Sequence, residues 1–488
     1  MVALFTLVGA SGVSQAQPDV VYTDSSGVTN WGSIGGIRGY SLQSQTCNLG
    51  DTDLSWTPTG PLLAMNAYRL RDGRLVQIGM SWVKNATFAI AGDGCEPPCQ
   101  GGGGSVLGPG CMDVYSASYN GGQGILGPRS QVNAFTGAYP GPSGGSGNAI
   151  YKRLQIAEAD LDPDEGLYFI EGHYVAADDA AAGNAENNAS YKRVDVGAGS
   201  FNLIPQGAMF ETVPGIFAWR DHGLGVDTPD PAVQVVAVKV PNEGRFQVAA
   251  KVTDLGGGSW LYDYAVRNHN SHRSGSSFSV PIPSGTAVGN VGFHDVDYHS
   301  GEPYDDADWP GILAGGTLSW AAPPHASPNA LRFATMYNFW FEADAPPVAG
   351  PVTIGLLIPE AGQPDSVSAM LPVPAEGASS PAGSVLDDLT LAKVGGSLEL
   401  QWGASCLASD GDYAVYHGTL GDWDSHEEKI CSTGGQTSAS FASPLVSRYY
   451  LVVPLSLTRE GSYGTDSAGN ERGQGLSACR GQEVGDCP

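Results

Sequence analysis

The stretch Phe293-His-Asp-Val-Asp-Tyr-His-Ser-Gly-Glu-Pro-Tyr-Asp-Asp-Ala-Asp-Trp309 is the sharpest concentration of potential ligands in the chain. If residues 291–299 form a strand, its period of two sends Asp295, Asp297 and His299 to one face and His294, Val296 and Tyr298 to the other. Three ligands on one face could hold a divalent cation, with Glu302, Asp305, Asp306 or Asp308 completing the set from the following loop. Two carboxylates and one imidazole suit iron, manganese or zinc, whereas carboxylates alone suit calcium, the cation most to be expected outside cells. The competing reading is a polar sheet face running into a solvated acidic loop.

His269 and His272, in Arg267-Asn-His-Asn-Ser-His-Arg273, could complete such a site if their turn faces 294–299. His and Asn after a strand more often serve turn chemistry. His222, in Trp219-Arg-Asp-His-Gly223, reads as structural. No G-x-S-x-G elbow, phosphate loop or dinucleotide fingerprint is present, and His426-Glu-Glu-Lys-Ile430 lacks the second histidine of H-E-x-x-H. Paired carboxylates for glycoside hydrolysis need nearness in space and leave no spacing signal.

The eight cysteines fall into two sets, Cys47, Cys95, Cys99 and Cys111, then Cys406, Cys431, Cys479 and Cys487, with none between. Two even sets point to disulfides confined to the two ends and to an oxidising compartment. Cys95-x3-Cys99-x11-Cys111 superficially suggests zinc, but no histidine stands nearby. Residues 2–13 form an apolar run followed by Ser14-Gln15-Ala16, so 1–16 reads as a signal peptide. Its cationic n-region is missing, so a longer precursor is expected, with Met1 an internal start. Asn85-Ala-Thr and Asn188-Ala-Ser are glycosylation sequons.

The elements that must position these residues are strands. Gly is 69 and Pro 33 of 488 residues, and charged residues are 15%, while 20 Tyr, 14 Phe and 10 Trp supply core material. This composition fits many short strands joined by tight turns, and the length suggests roughly three domains. A net charge of −27 repels phosphate backbones, which excludes nucleic-acid binding and disfavours anionic membranes. No later stretch approaches the roughly 20 apolar residues of a transmembrane helix.

Residues 17–150 read as a disulfide-pinned, β-rich region. Within it Tyr68–Trp82 reads as a hairpin turning at Asp72-Gly73, with Val76, Ile78, Met80 and Trp82 as its core face and Gly-rich loops from Gly92 to Gly147. Residues 151–360 read as a cysteine-free β-sandwich. Its expected strands are Leu167–Val175, Val233–Val240, Arg245–Thr253, Ser259–Asn268, Ser276–Ile282, Ala287–Asp297 and Leu331–Ala343. Trp260, Tyr262, Tyr264 and Val266 share one strand face, and Val175–Ala182 is the nearest approach to a helix. A linker rich in Pro, Ser, Ala and Gly spans 371–385, and a last domain follows at 386–488.

That last domain resembles a fibronectin type III domain in its Trp402 strand, Tyr413-Ala-Val-Tyr-His-Gly418, and Tyr450-Leu-Val-Val453 followed by Glu460–Ser467. The resemblance implies an Ig-like sandwich used as a spacer or adhesive module. Four cysteines depart from that family; the expected pairs are Cys406–Cys431 and Cys479–Cys487, among three possible connectivities. The remainder resembles a group of uncharacterised secreted bacterial β-rich proteins. The likeness lies in Gly110–Tyr115 with Leu126-Gly-Pro-Arg-Ser-Gln-Val-Asn133, Tyr168–Val175 and Val291–Gly301. It implies secretion and fold, and no catalytic residue. The sequence therefore reads as a mainly β, multi-domain secreted or cell-surface protein. Its leading function is extracellular binding or a structural role, with aromatic residues and Gly-rich loops contacting glycan or protein. The alternative is a secreted metal-dependent hydrolase or oxidative metalloenzyme at Asp295, Asp297 and His299.

Overall fold

The computed structural model describes residues 17–256, 258–375, 381–385, 389–456, 459–475 and 477–487. The expected leader, 1–16, lies outside them. The chain is mainly β, in antiparallel sheets with one short parallel pairing. Helices are single turns or little more. The alanine-rich run yields Ala177–Ala182, ended by Gly183 in the left-handed region (φ 86°).

The hairpin forms between Leu62–Arg71 and Arg74–Met80, with Asp72 and Gly73 both at positive φ as its two-residue turn requires. These strands sit at the centre of a ten-stranded sheet. Its main path runs Leu203–Phe210, Ala189–Val196, Leu167–Val175, Leu62–Arg71, Arg74–Met80, Leu154–Ala157, Ile37–Leu42, Val28–Ile34. A division at residue 150 would cut this sheet, which takes strands from both sides of it. Val76 and Ile78 enter a core with Val20, Tyr40, Trp56 and Ile170, as their periodicity requires. The opposite face is buried too, because Tyr68, Leu75, Phe169 and Tyr191 pack there on Ala249, Ala265 and Met336.

Those last three residues belong to a second sheet, ordered Gln234–Lys239, Arg245–Gly256, Ser259–Asn268, Met336–Ala343, Val288–His294. Its far face meets a third sheet, ordered Gly311–Ala314, Thr317–Ala321, Gly275–Pro281, Pro347–Leu356, Ser366–Pro374. Tyr262, Tyr264 and Val266 point into that gap with Phe278, Trp320, Phe339 and Phe341, and Trp260 packs at its margin. The middle sheet is thus buried on both faces, and the three sheets stack as layers.

Two expected boundaries shift. The strand expected over Ala287–Asp297 is Val288–His294, and its pairing is interrupted between Gly289 and Gly292. Beyond His294 the chain binds side chains in place of a ladder: Asn329 donates to Asp295, and the Tyr298 amide donates to Asp306 at 2.8 Å. Leu371–Pro374, assigned to the linker, complete a strand in register with Pro347–Gly350. Residues 376–380 of the expected linker lie outside the described residues. Ala382 already bridges Val484 in the last module.

That module has a three-stranded sheet, Thr390–Val394, Ser397–Gln401, Ser438–Ala442. A five-stranded sheet faces it, Glu427–Ile430, Asp412–Thr419, Arg448–Leu455, Arg459–Glu460, Gly481–Gln482. Leu400, Trp402, Tyr413, Val415 and Val452 fill the space between.

The eight cysteines form Cys47–Cys95, Cys99–Cys111, Cys406–Cys487 and Cys431–Cys479. The bridges stay within the two end regions. The pairing inside the last module differs from the expected one for a structural reason. The Cys479 amide donates to the Tyr416 hydroxyl (2.8 Å), which carries Cys479 to the strands beside Cys431. The Ala382–Val484 bridge brings the chain end back toward Cys406.

Candidate functional site

The segment from His294 to Tyr304 leaves the middle sheet and passes between two clefts, with Tyr298 lining both. The first cleft, about 450 Å³, is bounded by Ile78, Gln155 and Asp160 on the ten-stranded sheet side and by His294, Asp295, Asp297 and Asp306 opposite. Burial holds the Asp295 carboxyl up at about 7; Asn329 opposes this, and Asp297, Asp308 and Asp306 add to it. Asp297 and Asp308 are exposed, and the half-buried Asp305 donates its amide to the Ser327 carbonyl at 2.9 Å.

The other expected ligands are committed elsewhere. His299 Nε2 donates to the Met80 carbonyl (2.7 Å), so its Nδ1 accepts from the Ser300 hydroxyl (2.9 Å). Burial pushes this imidazole down to about 4, and it is neutral with both nitrogens engaged. Glu302 turns away and caps the short turn Arg129–Gln131, accepting from the Arg129 and Ser130 amides. Of the seven expected ligands, Asp295, Asp297, Asp306 and His299 line the acidic cleft. Among the described residues no three His, Cys, Asp or Glu side chains come together as a metal-binding set.

His269 and His222 are structural. Arg267 donates to His269 Nδ1 (3.0 Å), and His269 Nε2 donates to the Ala185 carbonyl (3.1 Å). His222 Nδ1 accepts from the Asp227 amide (3.0 Å). Both sequon asparagines, Asn85 and Asn188, are buried and hydrogen-bonded, so neither can carry a glycan in the folded chain.

The second cleft lies on the other side of Tyr298. A narrow, partly open space of about 40 Å³ is walled by Arg129, Ser130, His272, Tyr304, Arg332 and Phe333. It adjoins an open vestibule of about 400 Å³, and Ser130, Val132 and His272 line both parts. Three stretches singled out by their residues, Leu126–Asn133, Arg267–Arg273 and Val291–Gly301, therefore meet here. Arg332 had no signal in the sequence, because a lone arginine in Ala-Leu-Arg-Phe has no spacing to read.

A third feature lies on the disulfide-pinned loops. Ala89 points inward and exchanges both backbone hydrogen bonds with Gly104 (2.8 and 2.9 Å), which leaves Phe88 and Ile90 outside, each 66% exposed. Gly92 pairs with Met112, and two residues on in the same direction lie Ile90 and the exposed Val114. Tyr119, 46% exposed, is held by its hydroxyl on Thr87 (3.0 Å) and stacks on buried Tyr115. Four large hydrophobic side chains are thus exposed on neighbouring segments of the region cross-linked by the Cys47–Cys95 and Cys99–Cys111 bridges. At one end of the last module Leu420, Trp423, Leu445 and Val446 are likewise exposed on two adjacent loops.

No family model matches this chain, and no curated protein does. Among solved structures, one match is titled "Biofilm associated protein - BSP domain", at 10% identity, covering 92% of this chain and 81% of that one with a TM-score of 0.15. A TM-score of that size carries no argument about fold or function. Among the described residues no helix is long and apolar enough to cross a membrane.

Proposed function

We propose that this protein is a secreted or cell-surface binding component that engages an extracellular glycan or protein through the Phe88, Ile90, Val114 and Tyr119 surface. The observation that carries this reading is that bulky apolar groups are exposed on loops held by two disulfides and by backbone pairing. Exposed apolar groups gathered in one patch mark interaction sites, and pre-ordering removes part of the cost of binding. Four disulfides fit an oxidising, extracellular location.

The last module acts in this reading as a fibronectin type III-like spacer with its own adhesive tip. Its first, second and fifth strands form one sheet, and its fourth, third, sixth, seventh and eighth form the other, the eighth an addition at the edge. That distribution and the buried Trp402 support the likeness. The metalloenzyme alternative requires His299 to exchange its hydrogen bond to Met80 for a metal, and no observation favours that exchange.

The test is cosedimentation of the full chain with washed envelope material from its source cells, untreated, protease-treated or periodate-oxidised. Loss after protease identifies a protein partner, and loss after periodate a glycan. No sedimentation with any of the three preparations overturns the proposal.

A further inference from the structure

Arg332 lines the narrow end of the second cleft. The guanidinium lies over the Tyr304 ring, 3.6 Å from its centroid, and donates one hydrogen bond, to the Pro328 carbonyl (3.2 Å). Its Nε is buried with no hydrogen-bond partner, and among the described residues no carboxylate pairs with it. This is notable in a chain with 50 acidic and 23 basic residues. Two carboxylates bonded to residues that wall this space or adjoin them accept from backbone N–H groups: Glu302 from Arg129 and Ser130, Glu243 from His272 and Arg273. Arg129 is spent on five acceptors, including the Met65, Ser81 and Ala334 carbonyls. Arg332 therefore lines this space with a charged guanidinium that makes one hydrogen bond, and exposed His272 lines both the space and the vestibule.

We propose that this cleft binds a small extracellular molecule by its carboxylate, which is received by Arg332 and His272 in the narrow part. The vestibule takes the body of the ligand. A carboxylate matches the fork of a guanidinium in charge and shape, and the remaining walls, Val132, Tyr298 and Phe333, are apolar. The site is separate from the Phe88 surface, and its success or failure leaves that reading untouched.

The experiment is calorimetric titration of the full chain with galacturonate, benzoate and galactose. At least one carboxylate should bind, and galactose should not. Galacturonate alone indicates a sugar acid, and benzoate alone an aromatic acid. Arg332→Gln should weaken binding about tenfold or more, the loss expected for one charge-assisted contact. His272→Trp, at an exposed position, should block entry without touching the guanidinium, and the melting temperature of each variant reports whether it is folded. Absence of binding by both carboxylates overturns the proposal. So does equal binding of galactose, or affinity unchanged in both folded variants.

Discussion

Glu171 accepts a hydrogen bond from Arg267 at 2.8 Å, and neither side chain touches solvent. Glu171 lies on the strand Leu167–Val175 of the ten-stranded sheet, and Arg267 on Ser259–Asn268 of the middle sheet. The pair is embedded in a wider buried network, in which Arg267 Nε and His173 Nε2 have no partner. Glu171 also accepts from Asn66, Tyr68 and the Gly215 amide, while Arg267 donates to Gln247, His173 and His269. A buried pair of this kind gives little net stability over an apolar core, but breaking it is expensive. It fixes how the first two layers meet.

Arg267→Met should destabilise the protein by about 3–5 kcal/mol, because it strands a carboxylate in the interior. Combining it with Glu171→Leu should cost less than the sum of the two single changes. Denaturant unfolding of the four proteins in the cycle measures this, and additive losses would contradict the coupling.

Lys84 is 1% exposed, and its ammonium lies 3.4 Å from the centroid of the Tyr115 ring, which supports Tyr119 on the proposed binding surface. Burial pushes its pKa down to about 7, with Asp113 opposing. The folded state therefore binds fewer protons than the unfolded one from about pH 7 up to the ordinary lysine value, and stability rises with pH across that window. Relative to Lys84→Met, the native chain should gain stability from pH 7 to pH 9, by at most about 1.4 kcal/mol per pH unit. Parallel curves for the two proteins would show that the amine is not held in this way.

His299 has the same sign in an acid window. With a folded value of about 4 against an ordinary 6.5, its contribution is present above pH 6.5 and is lost as pH falls toward 4. Asp179 and Asp295, both raised to about 7 by burial, act oppositely, their contribution being lost as pH rises through 7. His299→Gln keeps a donor for the Met80 carbonyl. Its melting temperature should fall less than that of the native chain between pH 6.5 and pH 4, and an equal fall would contradict the assignment.

Non-reducing peptide mapping should find Cys406 with Cys487 and Cys431 with Cys479. Replacing Cys406 and Cys487 by serine should cost roughly 2–4 kcal/mol of the last module's stability. A Cys406–Cys431 peptide would contradict this topology.

Period-two patterning made much of the sheet structure legible. Ser259–Asn268 and Leu167–Val175 have the bounds that alternation and β-rich composition mark out. What escaped were features set by distant residues. The double burial of the hairpin depends on a sheet more than 150 residues away in sequence, and the Glu171–Arg267 pair is separated by 96. The reading of the acidic cluster assumed a strand through His299, and the strand ends at His294. The Asn329 and Asp306 side chains stop that ladder after His294, and Met80 claims the imidazole. The disulfide sets were readable, but their pairing in the last module was not, because it depends on which strands adjoin.

The proposal that this protein binds through an apolar surface is tested most directly by comparing two double variants with the native chain. Phe88→Ser with Ile90→Ser should reduce cosedimentation with washed envelope material by about tenfold or more, a loss of roughly 1.4 kcal/mol or greater. Asp295→Asn with Asp297→Asn should sediment as the native chain does. Native-like sedimentation of the Phe88 and Ile90 variant, or loss of sedimentation in the Asp295 and Asp297 variant, would contradict the account.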